Sequence, residues 1–186
     1  LKEEALLVGA TGPDVEGYAT ASRLLVSLLR GYSRQYGLRA GLLILTNVYG
    51  PGMSDDPEHS FVVPAMIRRL FEAVATGDDR VICWGSGRAT RDFLYVEDAA
   101  RAIVDATRHV EDPEPINIGS GIETSIAELA RSVADLAGYE GTIEWDSNRP
   151  EGVLRRALDI TRARELIGFE PSVDLAGGLR RTLAGG

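Results

Sequence analysis

The stretch Trp84-Gly85-Ser86-Gly87-Arg88-Ala89-Thr90-Arg91-Asp92-Phe93-Leu94-Tyr95-Val96-Glu97-Asp98-Ala99-Ala100 decides the reading of this chain. Just before it, Val81-Ile82-Cys83-Trp84 reads as a buried strand. That strand stops at Gly85 and Gly87, because glycine reaches the positive φ of a tight turn without steric cost. Arg88 falls on the turn and reads as a solvated charge, whereas Arg91 leads into the apolar run Phe93-Leu94-Tyr95-Val96. Asp98 then stands where a side-chain oxygen caps an alanine-rich helix. An indole beside a guanidinium suits a ligand that carries a planar ring and a phosphate, since arginine binds phosphate through two parallel hydrogen bonds. Trp84 reads equally well as a core aromatic.

Outward from this stretch the chain alternates helices and short strands. Residues 1–16 read as a loop, and 17–36 as an amphipathic helix with Tyr18, Ala21, Leu24, Leu25, Leu28, Leu29 and Tyr32 on its apolar face. Gly41-Leu42-Leu43-Ile44-Leu45 is a continuous apolar run of the kind found in buried parallel strands. Residues 47–57 read as a Gly/Pro-rich loop at the C-terminal end of that strand, where open α/β sheets place ligands. Helices are predicted at 61–76, 98–109, 125–137, 161–167 and 174–184, with short strands at 81–84, 115–119 and 142–145. Thr124-Ser125 with Glu128 forms a capping-box pattern, and Asp159 reads as a helix cap. On helix 61–76, the adjacent Arg68 and Arg69 are not expected to face inward together.

Composition narrows the function classes. With 44% hydrophobic and 26% charged residues, the 186-residue chain is globular and can form one ordinary domain. A net charge of −8 disfavours a nucleic-acid partner. The grouped arginines Arg68/Arg69, Arg88/Arg91 and Arg149/Arg155/Arg156 still leave local sites for an anion. The single cysteine, Cys83, excludes an intrachain disulfide, reads as a core residue and fits a reducing cytoplasm. His59 and His109 are too far apart to suggest a zinc site, so no metal is expected. No apolar run is long enough to span a bilayer. No signal peptide is read in a chain that begins Leu-Lys-Glu-Glu. Gly9-Ala10-Thr11-Gly12 imitates a dinucleotide fingerprint, but the next glycine, Gly17, comes too late, so it reads as a turn.

Several segments together carry a family pattern. They are Tyr18-Ala19-Thr20-Ala21-Ser22, Asn47-Val48-Tyr49-Gly50-Pro51-Gly52, Phe61-Val62-Val63-Pro64-Ala65-Met66-Ile67-Arg68-Arg69, the Trp84–Ala100 stretch, Arg149-Pro150-Glu151-Gly152 and Leu158-Asp159-Ile160-Thr161-Arg162-Ala163-Arg164-Glu165-Leu166-Ile167-Gly168. With them the chain resembles the extended short-chain dehydrogenase/reductases, the NAD(P)-dependent nucleotide-sugar epimerase/dehydratase family, and in particular its GDP-L-fucose synthase branch. The resemblance covers the C-terminal half of the family pattern. It implies an α/β, partial Rossmann-type fold with a small C-terminal substrate-binding subdomain. Residues 1–50 would be the tail end of the Rossmann half, with the catalytic-tyrosine helix and the strand after it. Residues 51–186 would be mainly substrate-binding, with a returning Rossmann strand near 115–118.

The resemblance also assigns roles. Tyr18 takes the position of the family's catalytic tyrosine, whose partner is a lysine four residues on; this chain has Ser22 there, and a serine has no charge to lower a tyrosine pKa. Arg23 is one residue further and ~100° around the helix, a poor substitute. Phe61 stands where the branch carries an acid histidine, and His59 lies two residues earlier; the double epimerisation is thereby disfavoured over oxidoreduction or 4-epimerisation. Tyr18, Thr46, Asn47 and Val48 are the implied cofactor-facing residues, and Asn47, Arg69, Trp84, Arg91 and Arg149 the implied substrate-binding ones. The implied cofactor is NAD or NADP, not held tightly by a chain that lacks the glycine-rich turn. The implied partners are a nucleotide-diphosphate sugar and either a second copy, through helix 17–36, or a missing N-terminal half. The alternative is an inactive nucleotide-sugar-binding module or a degenerate remnant.

Overall fold

A computed structural model describes residues 1–12, 15–54, 61–149 and 151–185. After a 3-10 helix at Glu3–Leu7 come α1 (Glu16–Tyr36), β1 (Leu42–Leu45), β2 (Asn47–Tyr49), α2 (Val62–Thr76) and β3 (Arg80–Trp84). Then follow β4 (Thr90–Arg91), β5 (Phe93–Tyr95), α3 (Val96–His109), β6 (Pro115–Ile118), β7 (Thr124–Ser125) and α4 (Ile126–Ala137). β8 (Thr142–Asp146), β9 (Arg155–Arg156), α5 (Thr161–Ile167) and α6 (Leu175–Ala184) complete the order. The chain is α/β, with parallel pairing of β1 with β6, β2 with β5 and β3 with β8. A small three-stranded sheet sets β4 between antiparallel β7 and parallel β9.

Two apolar cores result. One joins Tyr49, Val63, Met66, Leu70, Cys83, Phe93, Leu129, Val133 and Leu179, locking α2, α4 and α6 around β2, β3 and β5. The other joins Leu94, Ala102, Ile116, Ile118, Ala163 and Phe169 beneath α3 and α5. Asp98 was expected to cap α3, but the helix opens two residues earlier and Asp98 is fully buried. Its carboxylate instead accepts from the Ser172 hydroxyl and from the backbone N–H groups of Ser172 and Val173, 2.7–3.0 Å away, latching α3 to the segment before α6. Burial disfavours the Asp98 carboxylate, yet these donors and Arg101 outweigh it and hold its pKa below the usual value. The capping box is present as read: the Ser125 hydroxyl accepts from Glu128 N, and Glu128 from Ser125 N. Asp159 accepts from Thr161 N and its hydroxyl at the start of α5.

Two other expectations are corrected, and the amphipathic helix read at 17–36 is present as α1. Residues 1–16 are not all loop, because Glu3–Leu7 forms a 3-10 helix and Glu3 accepts from the backbone N–H of buried Asn117. The segment after β1 is not loop from residue 47, because Asn47–Tyr49 pairs in parallel with Phe93–Tyr95. On α1, Val26 is the buried residue, while Tyr18, Leu24, Leu25, Leu28 and Tyr32 are exposed. Amphipathic spacing identifies the helix but not the surface its apolar stripe meets.

Candidate functional site

The Trp84–Tyr95 stretch builds the site. In β3, Val81 and Cys83 point into the core, so Trp84 falls on the opposite face and is 59% exposed. Gly85 and Gly87 have φ of +80° and +73°. A Cβ on Gly87 would come within 2.7 Å of the Trp145 ring, so only glycine lets the turn lie against that indole. Trp145 is the register partner of Cys83 across β3 and β8. Together Trp84 and Trp145 wall an open cleft of about 280 Å³ with Val62, Ala65, Met66, Arg68, Arg69 and Cys83.

Arg68 and Arg69 both line this cleft, contrary to expectation. One turn of α2 presents both because the cleft is wide, and guanidinium stems are long enough to curl around the helix. Arg69 donates to the Ile82 carbonyl at 2.8 Å, while buried Arg68 Nε has no hydrogen-bond partner among the described residues. Cys83 is buried, and burial raises its pKa against the lowering influence of Arg69, which leaves a core thiol rather than a nucleophile.

A second cleft, of about 210 Å³, shares Val62, Trp84 and Ile126 with the first and adds Gly87, Ala89, Arg91 and Glu151. Arg91 Nη1 donates to the carbonyls of Thr90 and Val153 at 2.7 Å each, which fixes the guanidinium. Burial and then the like charge of Arg156 push its pKa down, and Glu151 opposes them. Arg156 is its register partner across β4 and β9. The sequence groups Arg156 with Arg149 and Arg155 as a local anion site but does not place it among the substrate-binding residues, because only the pairing of distant strands sets it beside Arg91. Arg149 stacks over Trp84 with its guanidinium carbon 5.3 Å from the ring centroid, and pairs with Asp146 at 3.7 Å. Arg88 is exposed.

Three of the implied cofactor-facing residues share one cleft. Thr46, Asn47 and Val48 line a third cleft with Met53, Phe61, Val62, Val63 and Phe93, and Val62 lines the other two as well. Its polar edge is pinned from within: Thr46 Oγ1 and Asn47 Nδ2 both donate to the Asp92 carbonyl, at 2.9 and 2.8 Å. The Asp92 carboxylate in turn holds Ser120 and Gly121, and Gly119 leaves no room for a side chain against it. Tyr18 is not among the residues that line these three clefts, and it is 81% exposed on α1. The Ser22 hydroxyl donates back to the Tyr18 carbonyl at 2.9 Å. Arg23 donates to the carbonyls of Leu6 and Val8, at 2.8 and 3.0 Å. His59 lies outside the described residues. Among the described residues no group of His, Cys, Asp and Glu is placed to hold a metal ion, and no helix is long and apolar enough to cross a membrane.

Known proteins are similar to this chain in sequence and fold. Residues 2–119 match the NAD dependent epimerase/dehydratase family. A protein of Oryza sativa subsp. japonica named putative GDP-L-fucose synthase 2 is 42% identical over 178 residues, covering 96% of this chain and 51% of the rice protein. The GDP-L-fucose synthase of Escherichia coli K12 is 37% identical over 191 residues, covering 98% of this chain and 59% of its own length. The crystal structure of a GDP-L-fucose synthetase from Naegleria fowleri matches 100% of this chain and 59% of that one, with a TM-score of 0.90 and 25% identity. The chain thus spans about half the length of the curated relatives it matches.

Proposed function

Because the chain belongs to the NAD dependent epimerase/dehydratase family, we propose that it is the nucleotide-sugar-binding part of a GDP-L-fucose-synthase-like epimerase or reductase. The observation that carries this reading is the pair of joined clefts around Trp84. The indoles of Trp84 and Trp145 offer a planar base a stacking surface. Arg91, fixed by two carbonyls and paired across the strands with Arg156, offers the diphosphate a fork. Arg69 and Arg149 stand at the rim, and the sugar would extend past Val62 toward Asn47.

The residues present fit NAD or NADP poorly. Thr46, Asn47 and Val48 can form one wall against a nicotinamide, but the Thr46 and Asn47 donors point to Asp92, and the residue one turn after Tyr18 is Ser22, which carries no charge. No hydride step is therefore derived for this chain. The Ser22 arrangement favours a second reading, a binding module without turnover. We also take the exposed stripe Tyr18, Leu25, Leu28, Tyr32 and Tyr36 on α1 as the surface through which a second copy pairs. The proposed division is a cofactor-side portion within residues 1–50, joined by the strand near 115–118, and a substrate-binding portion over most of 51–186.

Both tryptophans of the chain line the cleft, so intrinsic fluorescence reports on the site alone. Titration with a GDP- or dTDP-linked sugar should quench or shift that emission saturably, and Trp84→Phe should remove part of the change. An emission spectrum indifferent to every nucleotide sugar, with calorimetry equally silent, would contradict the proposal.

A further inference from the structure

Resting on that reading, we propose that Glu123 is a positioning residue that presents Arg91 and Arg156 as a pair to the diphosphate. β4 and β9 run side by side in register, Thr90 with Arg155 and Arg91 with Arg156. Successive side chains of a strand point to opposite faces, and register partners share a face. Thr90 and Arg155 therefore occupy one face of this two-strand ribbon, and Arg91 and Arg156 the other. Glu123 sits on the first face and binds both residues there. Its Oε1 accepts from the Thr90 hydroxyl at 2.6 Å, and its two oxygens accept from Arg155 Nε at 2.9 and 2.8 Å. One carboxylate so clamps two strands that come from distant parts of the chain.

The pairing has a cost that the clamp offsets. Arg91 and Arg156 repel each other across the ladder, and neither forms an ion pair among the described residues. Like charges directly opposite destabilise a ladder, so two-residue strands carrying them would spread apart. Glu123 neutralises Arg155 and ties it to Thr90, which holds the ribbon closed on the face away from the ligand. The neighbouring β7, Thr124–Ser125, pairs antiparallel with β4 and begins one residue after Glu123, so the clamp is itself anchored in the sheet.

A positioning role and a plain surface charge predict opposite signs. If Glu123 were only a nearby negative charge, Glu123→Gln would tighten binding of any anion. As a clamp, its loss should weaken affinity for GDP, with dTDP tested in parallel, by roughly threefold to tenfold, the range of a hydrogen-bonded partner. Glu123→Asp keeps the charge but shortens the reach, and it should also weaken binding. In Glu123→Gln with Arg155→Gln the net charge returns to that of the wild type, yet affinity should stay reduced. Calorimetric titration of the whole chain reads all of these, with thermal melts to check folding; if Glu123→Gln does not fold, Glu123→Asp decides. If the wild type binds and Glu123→Gln or Glu123→Asp binds equally or more tightly, the clamp is wrong and the nucleotide site stands. If the wild type binds neither diphosphate, the nucleotide-sugar reading falls and the clamp with it.

Discussion

Trp84 and Tyr18 are both exposed aromatics, 59% and 81% accessible, yet their surroundings have little in common. Around Trp84 every neighbouring element contributes: α2 brings Arg68 and Arg69, β8 brings Trp145, and β4 with β9 brings Arg91 and Arg156. Around Tyr18 there is a serine hydroxyl turned back on its own helix and an arginine bound elsewhere. The first arrangement offers the proposed ligand burial, stacking and fixed charge. The second carries an uncharged serine one turn after the tyrosine, the position from which a lysine would supply a cation. The residues proposed for recognition and for proton transfer thus sit on separate elements of this fold, α1 for Tyr18 and α2, β3, β4 and β8 for the Trp84 region.

The largest expected effect would break this contrast from the weak side. With a complementing dinucleotide-binding segment supplied, Ser22→Lys should raise kcat while leaving KM for the nucleotide sugar nearly unchanged. The gain should approach the scale of general acid–base catalysis, roughly 10²–10⁴-fold. Steady-state kinetics of the two reconstituted proteins checks it, and equal kcat values would mean that Ser22 is not the limiting defect.

A smaller effect should fall on the frame that both regions share. Asp98→Asn leaves Ser172 and Val173 donors facing an amide in a buried position, and should lower unfolding stability by roughly 1.5–3 kcal/mol, the range for charged hydrogen bonds. Because the folded pKa of Asp98 is depressed, its stabilisation is fully present above the ordinary carboxylate value, about pH 4. It is lost as pH falls through the lower folded value. Denaturant titration at neutral pH and in that acid window should show the wild type approaching the variant only in acid. A constant gap between them at every pH would remove the charge from the account.

How much of this was legible in the sequence depends on how far apart the partners lie. The Ser125–Glu128 capping box is closed within one helical turn, and it reads correctly from its residues alone. The turn at Gly85 and Gly87 is local too, and its positive φ follows from glycine's freedom. Asp98 looked like a cap because local spacing cannot reveal that its donors come from residues 172 and 173. Arg156 was grouped with Arg149 and Arg155 but not matched to Arg91, because only the pairing of β9 with β4 sets the two side by side. β2 is three residues long and takes its identity from β5, so no periodicity could announce it. The α1 stripe was visible as a stripe, but whether it faces a core or solvent is set by what lies opposite.

The central claim is that the Trp84–Arg91 region binds a nucleotide-diphosphate sugar independently of a cofactor. Calorimetric titration of the wild-type chain, Arg91→Lys and Arg88→Lys with a GDP- or dTDP-sugar, and of the wild type with NAD and NADP, tests it most directly. The account predicts saturable sugar-nucleotide binding and weak or absent cofactor binding. Arg91→Lys keeps the charge but loses the fork, so affinity should fall by roughly 1.5–3 kcal/mol. Exposed Arg88→Lys should change it by less than about 0.5 kcal/mol, as for a surface substitution. Tight, saturable NAD or NADP binding by the chain alone, or equal affinities for the wild type and Arg91→Lys with unaltered melts, would contradict it.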